Sequence, residues 1–121
     1  MITGQTFYIN TSETATFTIK IGTKSQGGSP IPVNLAGKQV HFLVKINEQD
    51  SDEDAFIHKY IGAGIDVTNA ANGEVEVSIT EADTSSLIGT NLTHNMYWSV
   101  RLVYSTVNKV LNEGLFVVTP L

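Results

Sequence analysis

Apolar and polar residues alternate through four stretches of the chain. In 14–21, Thr14, Thr16, Thr18 and Lys20 interleave with Ala15, Phe17, Ile19 and Ile21. The same period of two governs 38–46, 74–80 and 96–104. Successive side chains of a strand point to opposite faces, so the pattern specifies sheet with one apolar and one polar face. It predicts that Val40, Phe42, Val44 and Ile46 enter a core while Gln39, His41 and Lys45 face water. It predicts the same split for Val75, Val77 and Ile79 against Glu74, Glu76 and Ser78. Trp98, Val100 and Leu102 likewise divide from Ser99 and Arg101.

Turn signals punctuate these runs. Shorter strands are expected over 5–9, 56–61, 65–67 and 115–119, with 56–61 the hairpin partner of 38–46. Pro30 and Pro32 cannot donate to a central ladder, which makes 22–33 a loop or a sheet edge. Asn72-Gly73 is a strong hairpin signal. Thr80 and Asp83 have capping-box spacing, predicting one short helical turn near 80–87 with Ala82 and Leu87 packed down. The run 95–104 is expected to be the longest strand, followed by a turn over 105–108, and Gly114 suggests a bulge. About 7–8 short strands with such spacing predict an all-β fold, an immunoglobulin-like antiparallel β-sandwich. The 121 residues fit a single domain, 1–121.

Composition narrows the function. Charged residues make up 16% of the chain, against about 25% in average domains. A surface rich in Thr, Ser and Asn suits either ordinary β-sheet usage or faces that meet neighbours. The net charge is −5 and Lys and Arg do not cluster, so nucleic acid is not an expected partner. No cysteine is present, hence no disulfide and no thiolate metal site. Met1-Ile2-Thr3-Gly4 opens no basic-then-apolar leader, and no apolar run nears the ~20 residues that span a membrane. The expectation is a protein folded in the cytoplasm and not bound to membrane.

Candidate chemistry is sparse. Glu48, Asp50, Asp52, Glu53 and Asp54 crowd one loop, and the spacing of Asp50, Asp52 and Asp54 invites a calcium reading. Ala55 stands where an EF-hand needs Gly, and Ile61 where it needs the bidentate Glu, which favours a solvated hairpin tip. His41 and His58 can approach across the expected hairpin, but zinc needs further ligands; His94 stands apart. The nucleophile motif G-x-S-x-G is missing, and Gly27-Gly28-Ser29-Pro30 opens no helix to cradle phosphate. Tyr8, Tyr60 and Tyr97 are candidates for a sugar-stacking platform. Asn10-Thr11-Ser12 and Asn91-Leu92-Thr93 match the glycosylation pattern, which means little without a secretory leader. No catalytic, cofactor-binding or metal-binding residue is assigned, and no cofactor or small-molecule substrate is expected.

Several phrases together resemble a known family. The run 34–45, N-L-A-G-K-Q-V-H-F-L-V-K, resembles a strand of small immunoglobulin-like modules in tailed-phage virions, such as the N-terminal module of upper baseplate proteins. The run 72–84, from Asn72-Gly73 through Thr80-Glu81-Ala82-Asp83-Thr84, resembles a second segment of these modules. Tyr97-Trp98-Ser99-Val100-Arg101-Leu102 and Glu113-Gly114-Leu115-Phe116-Val117-Val118 resemble their paired last strands. Asn34 departs from the family's acidic residue. The resemblance implies a non-enzymatic virion structural protein of the tail, baseplate or capsid, made and folded in the host cytoplasm. Its implied partners are other virion proteins and copies of itself. The alternative is a module that binds host glycan or another surface, with calcium at Asp50, Asp52 and Asp54.

Overall fold

The computed structural model describes residues 6–23, 31–87 and 92–120. Among these residues ten strands form: β1 (Phe7–Asn10), β2 (Ala15–Lys20), β3 (Gly22–Thr23), β4 (Ile31–Pro32), β5 (Gln39–Lys45), β6 (Ile57–Ile61), β7 (Gly64–Asn69), β8 (Glu74–Ile79), β9 (His94–Tyr104) and β10 (Val107–Thr119). Eight of them make one sheet in the order β1-β10-β9-β5-β6-β7-β8-β2, and β3 pairs with β4 as a small ribbon. The expected strand at 5–9 is β1, shifted by one residue at its end, and residue 5 lies outside the described residues.

The sheet is rolled into a barrel-like form. Its end strands meet through their side chains: the rings of Phe7 on β1 and Phe17 on β2 lie 4.5 Å apart. Inside, Val40, Phe42, Val44, Val75, Val77, Ile79, Val100, Phe116 and Trp98 are all but excluded from solvent. The period-two pattern therefore chose the faces correctly, because each buried set recurs at every second residue. Ile46 is the exception. It falls just past the end of β5 and is 54% exposed.

Most pairings are antiparallel, with two exceptions. β1 runs parallel to β10, and β6 meets β7 in parallel through Tyr60 opposite Gly64 and Ile61 opposite Ile65. The second junction is a corner. Gly62 and Gly64 adopt φ of +98° and +99°, and the backbone N–H of Ala63 donates to the Tyr60 carbonyl at 2.8 Å.

The longest strand is β10, at 13 residues against 11 for β9. The expected 105–108 turn shrinks to 105–106, and the ladder continues through 107–119. The bulge lies between Val110 and Asn112, not at Gly114. A local glycine cannot reveal where the ladder loses register, since that depends on the partner strand.

A short helix, α1 (Glu81–Thr84), follows β8. Its capping box forms as read: the Asp83 carboxylate accepts the Thr80 backbone N–H at 2.7 Å. Leu87 packs against the core as expected, but Ala82 does not. Ala82 is exposed and Thr84 is buried, its hydroxyl accepting the Ser12 backbone N–H at 2.9 Å. Lys59, on the same side of β6 as the core residue Ile57, bridges to Asp83 at 2.8 Å. This contact ties α1 to the rolled sheet.

Candidate functional site

The outer face of β6, β5, β9 and β10 carries the polar chemistry. Register places His41 opposite both Tyr60 and Arg101, Leu43 opposite His58 and Ser99, and Lys45 opposite Tyr97. Because Val40, Phe42 and Val44 take the inner face, these alternate residues share the outer one.

The acidic loop 47–55 folds back on this face. Asp52 anchors it: Lys45 Nζ donates to Oδ1 at 2.8 Å, and Arg101 Nε stands 3.1 Å from Oδ2. The Arg101 contact is a charge pairing, without well-directed hydrogen-bond geometry. Leu43, which lines a hollow together with Asp52, is only 1% exposed although it points outward. Burying an apolar side chain there favours the closed loop, and the two ion pairs fix its position.

Asp50 and Asp54 turn to local partners. Asp50 accepts the Asn47 backbone N–H at 3.1 Å, and Asp54 accepts the Ser51 hydroxyl at 3.0 Å. The spacing that invited a calcium reading thus sends three carboxylates to three different places. Among the described residues, no three His, Cys, Asp or Glu side chains converge as a metal site.

The histidines do meet. His41 Nδ1 and His58 Nε2 lie 2.8 Å apart, so one ring donates to the other. Tyr60 flanks both rings at 5.8 Å between centroids. Together with Asp52, Arg101 and Asn108 the pair lines a hollow of about 130 Å³. The third histidine, His94, begins β9 and is roughly 24 Å along the strand from Arg101, at about 3.4 Å per residue.

Electrostatics here follow from the geometry. The Lys45 hydrogen bond, helped by the charge of Arg101, holds the Asp52 carboxyl below its ordinary value, against the opposing effect of burial. Burial is the main cause that lowers the His41 imidazole, with His58 and Arg101 adding to it and Asp52 opposing. The His41 group binds a proton more readily in the unfolded chain, so native stability holds above its unfolded value near 6.5 and falls as pH drops below it. Asp52 works in the same direction, from its unfolded value near 3.8 downward. Urea midpoints taken from pH 7.5 to 5 are expected to decline, and in His41→Gln the decline over this window should flatten. A slope unchanged by that substitution would contradict the assignment.

Tyr8, Tyr97 and Tyr60 share the outer face but not a patch. They lie on β1, β9 and β6, with β10 and β5 interposed, so Tyr8 and Tyr60 are about 19 Å apart at ~4.8 Å per strand. The Gly27-Gly28-Ser29-Pro30 segment and Asn91 lie outside the described residues. Sequence reading found the two histidines but missed the Lys45–Asp52–Arg101 bridge. Its only local trace was an acidic loop following a strand that ends on the outward Lys45.

No protein-family model matches the chain, and no curated protein is significantly similar to it. Among the described residues, no helix is long and apolar enough to cross a membrane.

Proposed function

We propose that this chain is a non-enzymatic structural module of a tailed-phage virion, an immunoglobulin-like β-sandwich that acts by assembly. The strand order is the observation that carries the reading. Taking β1, β2, β5, β6, β7, β8, β9 and β10 as A, B, C, C′, D, E, F and G, the neighbours run G-F-C-C′ and then D-E-B. Immunoglobulin sandwiches place D, E and B in one sheet and C, F and G in the other, with C′ added beside C in variable-type domains. The corner at Gly62 and Gly64 is where the chain passes between these groups. The buried Trp98 stands on the F-like strand, whereas antibody domains carry theirs on C and add a disulfide.

The segments that resemble the phage modules are β5 with its lead-in, β8 with α1, and the β9–β10 hairpin. Assembly is supported by the edges. Among the described residues β1 and β2 each have a single strand neighbour, and an unblunted edge strand is a template for pairing with another chain. On β1, Tyr8 is 69% exposed. The partners are copies of this chain and other virion proteins, in tail, baseplate or capsid.

Light scattering on the purified protein across a concentration series tests the reading. The expected result is a defined oligomer, shifted toward monomer by Tyr8→Asp with the circular dichroism spectrum unchanged. A protein that stays monomeric at every concentration and binds a glycan saturably on an array overturns it.

A further inference from the structure

The facing histidines do more than pair. We propose that His41 and His58 form a two-histidine chelate, across β5 and β6, for a divalent transition metal of the Cu(II) and Ni(II) class. With metal–nitrogen bonds of about 2.0–2.1 Å, two nitrogens at a right angle on one ion stand about 2.9 Å apart, and at a tetrahedral angle about 3.4 Å. The observed 2.8 Å is the right-angled spacing. Tetragonal nitrogen and oxygen coordination is the preference of Cu(II) and Ni(II), while structural zinc asks for four tetrahedral ligands.

The surroundings permit the ion. His58 is exposed and His41 half-buried on an open face, so both rings can turn their lone pairs toward a common point and water can fill the remaining positions. The hollow beside them has space for those waters. The positive groups that face the pair are Arg101 on β9 and Lys45 on β5, and both are already matched to Asp52. Tyr60 on β6 and Asn108 on β10 bring no charge.

Metal ligation needs neutral imidazoles. In the neutral pair, the ring that donates between the two nitrogens has only to carry its proton on its other nitrogen, so no net proton leaves. Acid competes with the metal for both rings. The metal would link β5 to β6, whose ladder pairing on both sides coincides at Tyr60.

Titration of Ni(II) into tag-free protein at pH 7.5, followed by electron paramagnetic resonance of the Cu(II) form, tests the chelate. One ion per chain with nitrogen coupling is expected. Affinity should fall at least ~10-fold in His41→Ala and in His58→Ala, since losing one arm forfeits the effective concentration of the other. His94→Ala should bind as the parent does. Ni(II) should also raise the melting temperature of the parent and not of the two variants. Gln replacements serve if an Ala variant loses its circular dichroism signal. Absence of saturable binding, or a smaller loss in either variant, overturns the proposal.

Discussion

Trp98→Ala is expected to remove about 3–5 kcal/mol of stability, the usual range for truncating a buried Trp or Phe. The indole is 1% exposed. It stacks on Phe42 at 6.0 Å and meets Phe7 at 4.9 Å. Phe7 in turn contacts Phe17 on the opposite end strand. Trp98 is thus one step from the ring contact that brings β1 against β2, and its loss leaves a cavity where the rolled sheet closes on itself. Domains of this size have about 5–15 kcal/mol in all, so the variant should unfold at much lower urea. Glu53→Ala, on the surface, should change stability by no more than ~0.5 kcal/mol. Urea denaturation followed by circular dichroism measures both. A Trp98→Ala cost below about 1 kcal/mol would mean that the indole is not packed in the core.

Gly73→Ala is expected to cost more than its place in a turn suggests. The residue has φ of +67°, and a Cβ there would stand 2.3 Å from the Ile21 carbonyl oxygen and 2.8 Å from that of Val33. Both obstacles are backbone. The Ile21 N–H donates to the Gly73 carbonyl at 2.8 Å, and the Val33 N–H donates to the Ile21 carbonyl at 3.0 Å. A methyl group must displace these segments, adding the loss of buried hydrogen bonds, about 1–3 kcal/mol, to left-handed strain of about 1–2 kcal/mol. Gly37 supplies the comparison. Its φ is +72°, yet a Cβ there meets nothing within 4 Å. Gly37→Ala should therefore show the strain alone. Equal costs at the two positions, measured by urea melts, would refute the close approach at Gly73.

The contrast between these glycines also marks how far the sequence could be read. Asn72-Gly73 announces a turn, because the left-handed requirement is local. Nothing in 72–73 announces that the segments on either side of the β3–β4 ribbon cross that turn. The same division holds at the candidate site. Alternation places His41, Lys45 and Arg101 on the polar face, and the hairpin between β5 and β6 brings His58 near His41. Asp52 reaches Lys45 and Arg101 only because the loop bends back over the sheet, and Arg101 follows Asp52 by 49 positions in the chain.

The sequence by itself determined most of the long strands and, Ile46 apart, their inward faces, together with the helical cap at Thr80 and Asp83 and Trp98 as a core residue. These rest on periodicity and on contacts a few residues apart, which a short window encodes. Only the tertiary structure decided that β1 lies parallel to β10, that the ladder breaks between Val110 and Asn112, and that Leu43 is covered from outside. Each depends on register between distant segments, where the energy comes from burial and pairing that no single segment possesses alone.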